Sequence, residues 1–172
     1  MSASGYATPE RKASWSNLET IPICGNRDMR IAADGAWYYR GSLIARPALV
    51  KLFSTILSRD RGGRYWLATP VERVEVEVED APFLAVELAV EDEGTTAQQI
   101  HFRTNVDEWV AVGEDHPLVF RRGIPYLRLS RDLEAKVNRP VYYELMALAL
   151  RHEGMLWSKG VGYSVGSDRE TP

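Results

Sequence analysis

The chain has 172 residues, of which 45% are hydrophobic and 26% are charged, as in an ordinary globular protein. A chain of this length buries a sizeable core, so it needs no metal or disulfide for folding. Cys24 is its single cysteine, which excludes an intramolecular disulfide and fits a reducing compartment. No apolar run reaches the roughly 20 residues of a membrane-spanning helix, and the N-terminus lacks the charged start and apolar core of a secretory signal. We therefore expect a cytoplasmic protein with no membrane span.

The net charge of −3 is unevenly distributed along the chain. Residues 27–64 and 121–159 are basic, whereas residues 71–93 are strongly acidic. One interpretation is that these segments attract each other within the fold, and the other is a concave basic surface for an anionic ligand. Nucleic acid is a weaker alternative, because the chain as a whole is slightly acidic and has no dense lysine and arginine stripe.

The first part of the chain predicts a tail, a hairpin and a helix. Residues 1–18 are typical of a flexible tail, with Trp15 as the residue that docks its end. Asp34-Gly35 between two apolar runs indicates a hairpin. Pro47 opens a helix, which we expect to end at 61–63 because of the glycine pair there.

The middle of the chain predicts a series of strands. Residues 71–79 alternate valine with charge at period two, as a half-buried strand does. A second helix is expected at 140–152. After it, the glycine-rich residues 156–172 either add a last strand or fray. The other predicted strands are 83–91, 100–104, 109–113, 119–122, 126–129 and 134–137.

Two echoes in the sequence suggest internal repetition. Arg46-Pro47 and the apolar stripe after it recur 93 residues later at Arg139-Pro140, with the spacing of a helix buried on one face. Residues 69–83 recur 35 residues later at 104–118, as a strand, an acidic turn and a proline followed by an apolar residue. We interpret these echoes as a duplicated strand-and-helix unit.

Arg46 and Arg139 are the most informative candidate site residues. Each lies at a predicted helix start, where the helix dipole disfavours a cation, so we expect its side chain to be engaged elsewhere. The arginines form ion pairs inside the protein with a carboxylate such as Asp34 or Glu72, bind an anion between the two copies, or are simply exposed.

The residues that could carry catalysis form no recognisable signature. Cys24 is interpreted as a buried inert thiol, because a nucleophile would need a partner base. Turn chemistry accounts for Asp80 and Asp115. We predict no metal site and no cofactor, since the histidines lack metal-like spacing; they are His101, His116 and His152.

A long ordered set of motifs resembles a bacterial family known as domain of unknown function 1285. The resemblance covers about residues 20–152 and implies two β-rich domains with repeated motifs, the C-terminal one superficially like a pleckstrin-homology domain. It also implies a ligand or partner site at the domain interface and a link to signal transduction. Asn26 departs from the acidic residue expected in many relatives. The motifs include Cys24-Gly-Asn26, Asp34-Gly-x-Trp37, Arg46-Pro-x-Leu-Val-Lys-Leu-Phe53, Thr69-Pro-Val-Glu72, Val78-Glu-Asp-Ala-Pro-Phe83 and Arg139-Pro-x-Tyr-Tyr-Glu-Leu145.

We predict an α+β, mainly β fold with a domain at 19–79 and a second at 80–155, the latter a bent sheet closed by the C-terminal helix. The predicted function is a non-enzymatic binding module that holds a small anionic ligand or a protein segment. The alternatives are an enzyme that uses Cys24 or the acidic turns, and a structural or oligomeric protein. The oligomeric state stays open. Candidate binding residues are Arg46, Lys51, Arg128 and Arg139 for charge, and Trp37, Tyr65 and Tyr142 for aromatic contacts.

Overall fold

The computed structural model describes residues 18–166, so residues 1–17 of the predicted flexible tail and the predicted docking of Trp15 lie outside the described residues. The last residue of the predicted tail, Leu18, is buried. The described chain forms two compact units. The N-terminal unit comprises residues 18–82 and 130–133, and the C-terminal unit comprises 83–129 and 134–166. Each contains a six-stranded sheet and one α-helix, which confirms the predicted α+β, mainly β fold.

The sheet of the N-terminal unit has the order β3-β2-β1-β6-β5-β4. The two central strands, β1 and β6, pair in parallel, whereas the other pairs are antiparallel. Asp34-Gly35 forms the predicted hairpin: Gly35 has a φ of +83°, and the Ala36 amide donates to the Asp34 carboxylate. The elements are β1 (Met29–Ile31), β2 (Trp37–Tyr39), β3 (Ser42–Leu43), α1 (Pro47–Ile56), β4 (Leu57–Arg59), β5 (Tyr65–Ala68) and β6 (Arg73–Val78), with short 3-10 helices at Leu18–Thr20 and Ser130–Asp132.

Helix α1 ends earlier than the sequence predicts. The expected end at 61–63 is wrong, because the chain leaves the helix after Ile56 and enters β4. β4 pairs with β5 around a turn in which the Asp60 amide donates to the Arg64 carbonyl. Within the same unit, Arg131 Nη1 donates to the carbonyl of Thr55 at 2.6 Å, and so satisfies a group that the helix C-terminus leaves without an intrahelical partner.

One face of this sheet carries a buried tryptophan, Trp66, under the N-terminal segment. Trp66 packs with Leu18 and Ile21. Arg73 lies with its guanidinium 4.2 Å from the Trp66 ring centroid, and its Nε donates to the Ile21 carbonyl at 2.9 Å. The indole N–H of Trp66 donates to the Asp60 carboxylate at 2.9 Å. These contacts fix the N-terminal segment against the sheet.

The C-terminal unit has the sheet order β10-β11-β12-β7-β8-β9, followed by α2 and a separate hairpin. Here β7 and β12 pair in parallel. Residues 155–164, which the sequence leaves as a last strand or a frayed end, form the hairpin. The elements are β7 (Phe83–Glu91), β8 (Gln99–Thr104), β9 (Trp109–Ala111), β10 (Leu118–Arg121), β11 (Ile124–Arg128), β12 (Glu134–Val137), α2 (Arg139–Arg151), β13 (Met155–Ser158) and β14 (Val161–Ser164).

The two sheets repeat the same topology. In each, the first strand pairs in parallel with the sixth, and a three-stranded meander extends to either side. The two internal similarities found in the sequence do not correspond to this structural repeat. The echo of 35 residues relates β6, at the centre of one sheet, to β9, at the edge of the other. The expected duplication of the helix is also wrong, since α1 lies between the third and fourth strands of its unit and α2 follows the sixth.

The two helices also begin differently. In α2 the Asn138 side chain accepts a hydrogen bond from the Val141 amide at 3.1 Å, the standard N-cap contact. In α1 the capping residue is Arg46, and no side chain caps the helix. The two similar amphipathic sequences therefore form helices at different places in the two units. The likeness of the C-terminal domain to a pleckstrin-homology domain stays a prediction.

Candidate functional site

A cavity of about 290 Å³ lies in the C-terminal unit, between edge strand β10 and the β13–β14 hairpin. It has apolar walls, with Arg128 at the end of β11 as its charged residue. The lining residues are Pro117, Leu118, Val119, Phe120, Arg128, Met155, Val161, Gly162, Tyr163 and Ser164.

The β13–β14 hairpin is held in place by buried polar contacts. Ser158 Oγ donates to the Val112 carbonyl at 2.7 Å and accepts from the Ile100 amide at 2.9 Å. Gln98 Nε2 donates to the Trp157 carbonyl at 2.7 Å. Because Ser158 and Gln98 are themselves buried, these bonds are shielded from water. One wall of the cavity is therefore fixed relative to β8 and β9.

Arg128 has an anchored backbone and an exposed side chain. Its amide donates to the Pro117 carbonyl at 3.0 Å, and its carbonyl lies 3.2 Å from His116 Nδ1. Within residues 18–166, no carboxylate pairs with the Arg128 guanidinium, and the neighbouring Glu134 pairs with Arg121. The Arg128 guanidinium can therefore bind an anionic group through its positive charge and its N–H donors.

Tyr163 and Gly162 shape the hairpin side of the cavity. The Tyr163 hydroxyl donates to the Gly113 carbonyl at 3.0 Å, and burial, together with the charge of Glu114, raises the pKa of Tyr163. Its hydroxyl therefore stays a proton donor near neutral pH. At Gly162 a Cβ atom would lie 2.9 Å from the Trp157 ring, so glycine is what allows the indole to cover this strand.

The predicted site residues are distributed over both units. Arg128 lines the cavity, whereas Arg139 lies exposed at the start of α2 and the half-buried Tyr142 packs edge-on against Tyr143. That all seven residues form one groove stays a prediction. In the N-terminal unit, Arg46 and Lys51 are exposed on α1, Tyr65 is half-buried beside Arg59, and Trp37 is 1% exposed and stacked on Phe53.

The expected ion pairs of Arg46 and Arg139 are not formed. Among the described residues, neither guanidinium pairs with a carboxylate, and Asp34 instead accepts from a backbone amide. The alternative in which Arg46 pairs with Asp34 or Glu72 is therefore wrong. Both arginines are exposed to solvent.

Sequence reasoning missed the hairpin side of the cavity. The sequence signal was Gly160, because glycine is preferred at the second position of a two-residue hairpin turn. In the structure Lys159 and Gly160 form this turn, with φ of +49° and +76°. Tyr163 follows this turn in an alternating stretch. A glycine-rich composition obscured that pattern.

Cys24 is exposed, so the prediction that it is buried is wrong. The residue lies at the margin of the N-terminal sheet, next to the bridge between Ile23 and Arg73 and before the turn at Gly25. A hydrogen bond with Glu72, together with the charge of that carboxylate, raises the pKa of the Cys24 thiol. A raised pKa lowers the fraction of thiolate, which is the nucleophilic form.

His101 is a buried histidine in β8, outside the cavity. Burial lowers its pKa below the usual 6.5, an effect that Glu91 opposes and Lys159 reinforces.

Because the unfolded chain binds a proton at His101 more readily than the folded protein does, the free energy of unfolding should decrease as the pH falls through 6.5 toward the lower folded pKa. Thermal melting between pH 7.5 and 5.5 measures this effect. His101→Gln should melt with a weaker pH dependence; equal slopes for both proteins would contradict the prediction.

The part of the chain that the structure describes offers neither a metal site nor a membrane-spanning helix. No group of three or more histidine, cysteine, aspartate or glutamate side chains within 18–166 is placed to hold a metal ion. Among the described helices, none is long and apolar enough to cross a membrane.

Comparison with known proteins identifies relatives of the whole fold. No curated protein matches the chain. Among solved structures, the chain resembles a DUF1285 family protein from Silicibacter pomeroyi DSS-3, with 37% identity, a TM-score of 0.75, and coverage of 84% of this chain and 82% of that one. It also resembles a DUF1285 family protein from Shewanella baltica OS155, with 29% identity, a TM-score of 0.58, and coverage of 71% and 92%.

The family models agree with these structures and divide the chain between the two sheets. The model described as the N-terminal domain of the domain of unknown function DUF1285 matches residues 18–81. The model described as the C-terminal domain of the protein of unknown function DUF1285 matches residues 82–165. The chain therefore belongs to the DUF1285 family.

Proposed function

We propose that the protein is a non-enzymatic binding module whose C-terminal unit holds an anionic group of its ligand at Arg128. The observation that carries this proposal is an exposed guanidinium without a carboxylate partner, beside a cavity with apolar walls. An apolar pocket with a few polar groups that orient the ligand is the usual form of a binding site. The cavity volume of about 290 Å³ suits a small ligand or part of a longer one.

The residues around the cavity support binding rather than bond making. The Tyr163 hydroxyl is engaged with the Gly113 carbonyl, and burial raises its pKa, so it suits a structural donor rather than a base at neutral pH. His116 lies near Arg128 but contacts its backbone carbonyl. Recognition would therefore combine apolar contact with one charge-assisted pair.

Replacement of Arg128 by glutamine should weaken binding of acidic ligands by about tenfold, as expected for the loss of roughly 1.4 kcal/mol from one charge-assisted pair. The measurement is a thermal-shift panel on the full chain with phosphate, citrate, a nucleoside triphosphate and acidic heptapeptides, because a ligand of the folded state raises the melting temperature. Compounds that stabilise the original protein should have a smaller effect on Arg128→Gln.

Arg122→Gln is the matched control for this experiment. Arg122 is an exposed arginine of the same unit, in the turn after β10, and does not line the cavity. This variant should respond like the original protein. A panel in which Arg128→Gln and the original protein respond alike would contradict the assignment of Arg128 as the anion-binding residue.

A further inference from the structure

The cavity borders two strands at their edges rather than over one face. β10 contributes the consecutive residues 118–120, and β14 contributes the consecutive residues 161–164. Successive side chains of a strand point to opposite faces. A cavity lined by consecutive residues of both strands therefore lies beside them, where backbone groups are accessible.

β10 presents backbone donors and acceptors to this space. It is the terminal strand of its sheet and pairs with β11. The Arg128 amide donates to the Pro117 carbonyl, and hydrogen-bonded pairs recur at every second residue of an antiparallel ladder. Leu118 and Phe120 therefore belong to the intervening set, the pairs that exchange no hydrogen bonds with β11. This fits the position of Phe120 opposite Pro125, because proline has no N–H to donate. The N–H and C=O groups of Leu118 and Phe120 therefore point away from β11.

β14 presents a matching group from its side. The Val165 amide donates to the Gly154 carbonyl at 3.1 Å, and Ser158 pairs with Val161 across the two-residue turn. Both pairs belong to the hydrogen-bonded set of the β13–β14 ladder. Gly162 lies in the intervening set, so its N–H and C=O point away from β13.

We infer that an extended, acidic peptide segment binds between β10 and β14 as an additional strand, an inference that rests on the proposed function of Arg128. The backbone of the segment would pair with Leu118 and Phe120 on one side and with Gly162 on the other. This is recognition by strand addition, in which main-chain hydrogen bonds supply affinity and side-chain contacts supply specificity. β10 and β14 have four residues each, which span roughly 13 Å at about 3.3 Å per residue.

Charge and apolar lining specify the chemistry of the peptide. Arg128 lies in the cavity wall, so an aspartate or glutamate of the peptide would pair with it. Val161 and Met155 would provide apolar contacts for other side chains of the peptide. A free anion such as phosphate or citrate could pair with Arg128 but could not use the two strand edges. The geometry therefore favours a peptide over a small anion.

A displayed library of random heptapeptides, selected on the full chain and counter-selected on Arg128→Gln, provides the probes. Enriched peptides should carry an acidic residue and bind about tenfold more weakly to Arg128→Gln. Methylation of either set of alternate backbone nitrogens should weaken binding at least about tenfold, because one set donates to the edge of β10 and the other set donates to the edge of β14.

Amide hydrogen exchange gives a readout that depends on strand geometry. On peptide binding, exchange of the Leu118, Phe120 and Gly162 amides should slow at least about tenfold, whereas the Val119 amide, which already faces β11, should not change. An enriched peptide that tolerates methylation of either set, or protects these amides without alternation, would overturn the strand inference and leave the proposed function intact. The strand inference would also be overturned, with the proposed function intact, if citrate or phosphate raised the melting temperature through Arg128 while no peptide was enriched. If neither probe responds to Arg128, both proposals fail.

Discussion

Replacement of Leu145 by alanine should lower the free energy of unfolding by about 2–5 kcal/mol, the range for a buried leucine that leaves a cavity behind. Leu145 lies in α2 and is fully buried. α2 packs against β7 and β13, so the loss is expected to affect both the central sheet and the hairpin of the C-terminal unit. Urea denaturation followed by tryptophan fluorescence measures the effect.

Leu150 provides the matched control on the same helix. It is 80% exposed, so Leu150→Ala should change the free energy of unfolding by no more than about 0.5 kcal/mol. Both substitutions replace leucine by alanine in α2, and helix propensity therefore contributes equally to the two values. Equal destabilisation by the two variants would show that α2 is not packed as described.

Replacement of Asp60 by alanine should cost about 2–4 kcal/mol, because buried donors lose their acceptor. The Asp60 carboxylate is 3% exposed and accepts from the Trp66 indole at 2.9 Å and the Arg64 amide at 2.9 Å. Asp34 is the control, since it caps the turn of another hairpin in the same sheet but is exposed. Asp34→Ala should cost no more than about 1 kcal/mol, and a similar cost for both variants in urea denaturation would contradict this account.

Acid should remove the contribution of Asp60. Burial alone would raise the pKa of this carboxyl group, but hydrogen bonds from Trp66 and from the backbone, together with the charge of Arg64, lower it below the usual 3.8. The stabilisation is therefore present above pH 3.8 and is lost as the pH falls toward the lower folded pKa. Asp60→Asn should show a smaller loss of stability between about pH 5 and 2 than the original protein does.

Strands with a clear alternating pattern could be predicted from the sequence. Residues 71–79 alternate valine with charge, and β6 occupies Arg73–Val78 within that stretch, because a period of two is a local property. β4 could not be predicted in the same way. Its first residue, Leu57, continues the apolar pattern of α1, and the strand forms because β5 pairs with it across the Asp60 turn.

An internal repeat was correctly predicted from the sequence, but it was assigned to the wrong residues. Amphipathic helices that begin with proline resemble each other for local reasons, so the echo of Arg46-Pro47 in Arg139-Pro140 does not imply equivalent places in the fold. The actual repeat lies in the parallel pairing of the first and last strands of each sheet. Pairing between strands so distant in sequence has no short-range signature.

Arg128 was predicted as a binding residue from its charge, whereas its surroundings were not. The cavity depends on where the β13–β14 hairpin lies, and that position is set by contacts of Ser158 and Gln98 with distant strands. Sequence spacing contains no information on such contacts. Trp37 illustrates the converse case, since its aromatic character suggested a binding surface but Phe53 covers it.

The most direct test of the central claim, that ligands bind at Arg128 between β10 and β14, is to map the binding site by nuclear magnetic resonance. The isotope-labelled full chain would be titrated with the panel compound that raises its melting temperature most. We expect the largest changes in amide chemical shift at 117–120, 128 and 161–164. Largest changes at 46–51 on α1 or 139–142 on α2, with the cavity residues unaffected, would contradict the account.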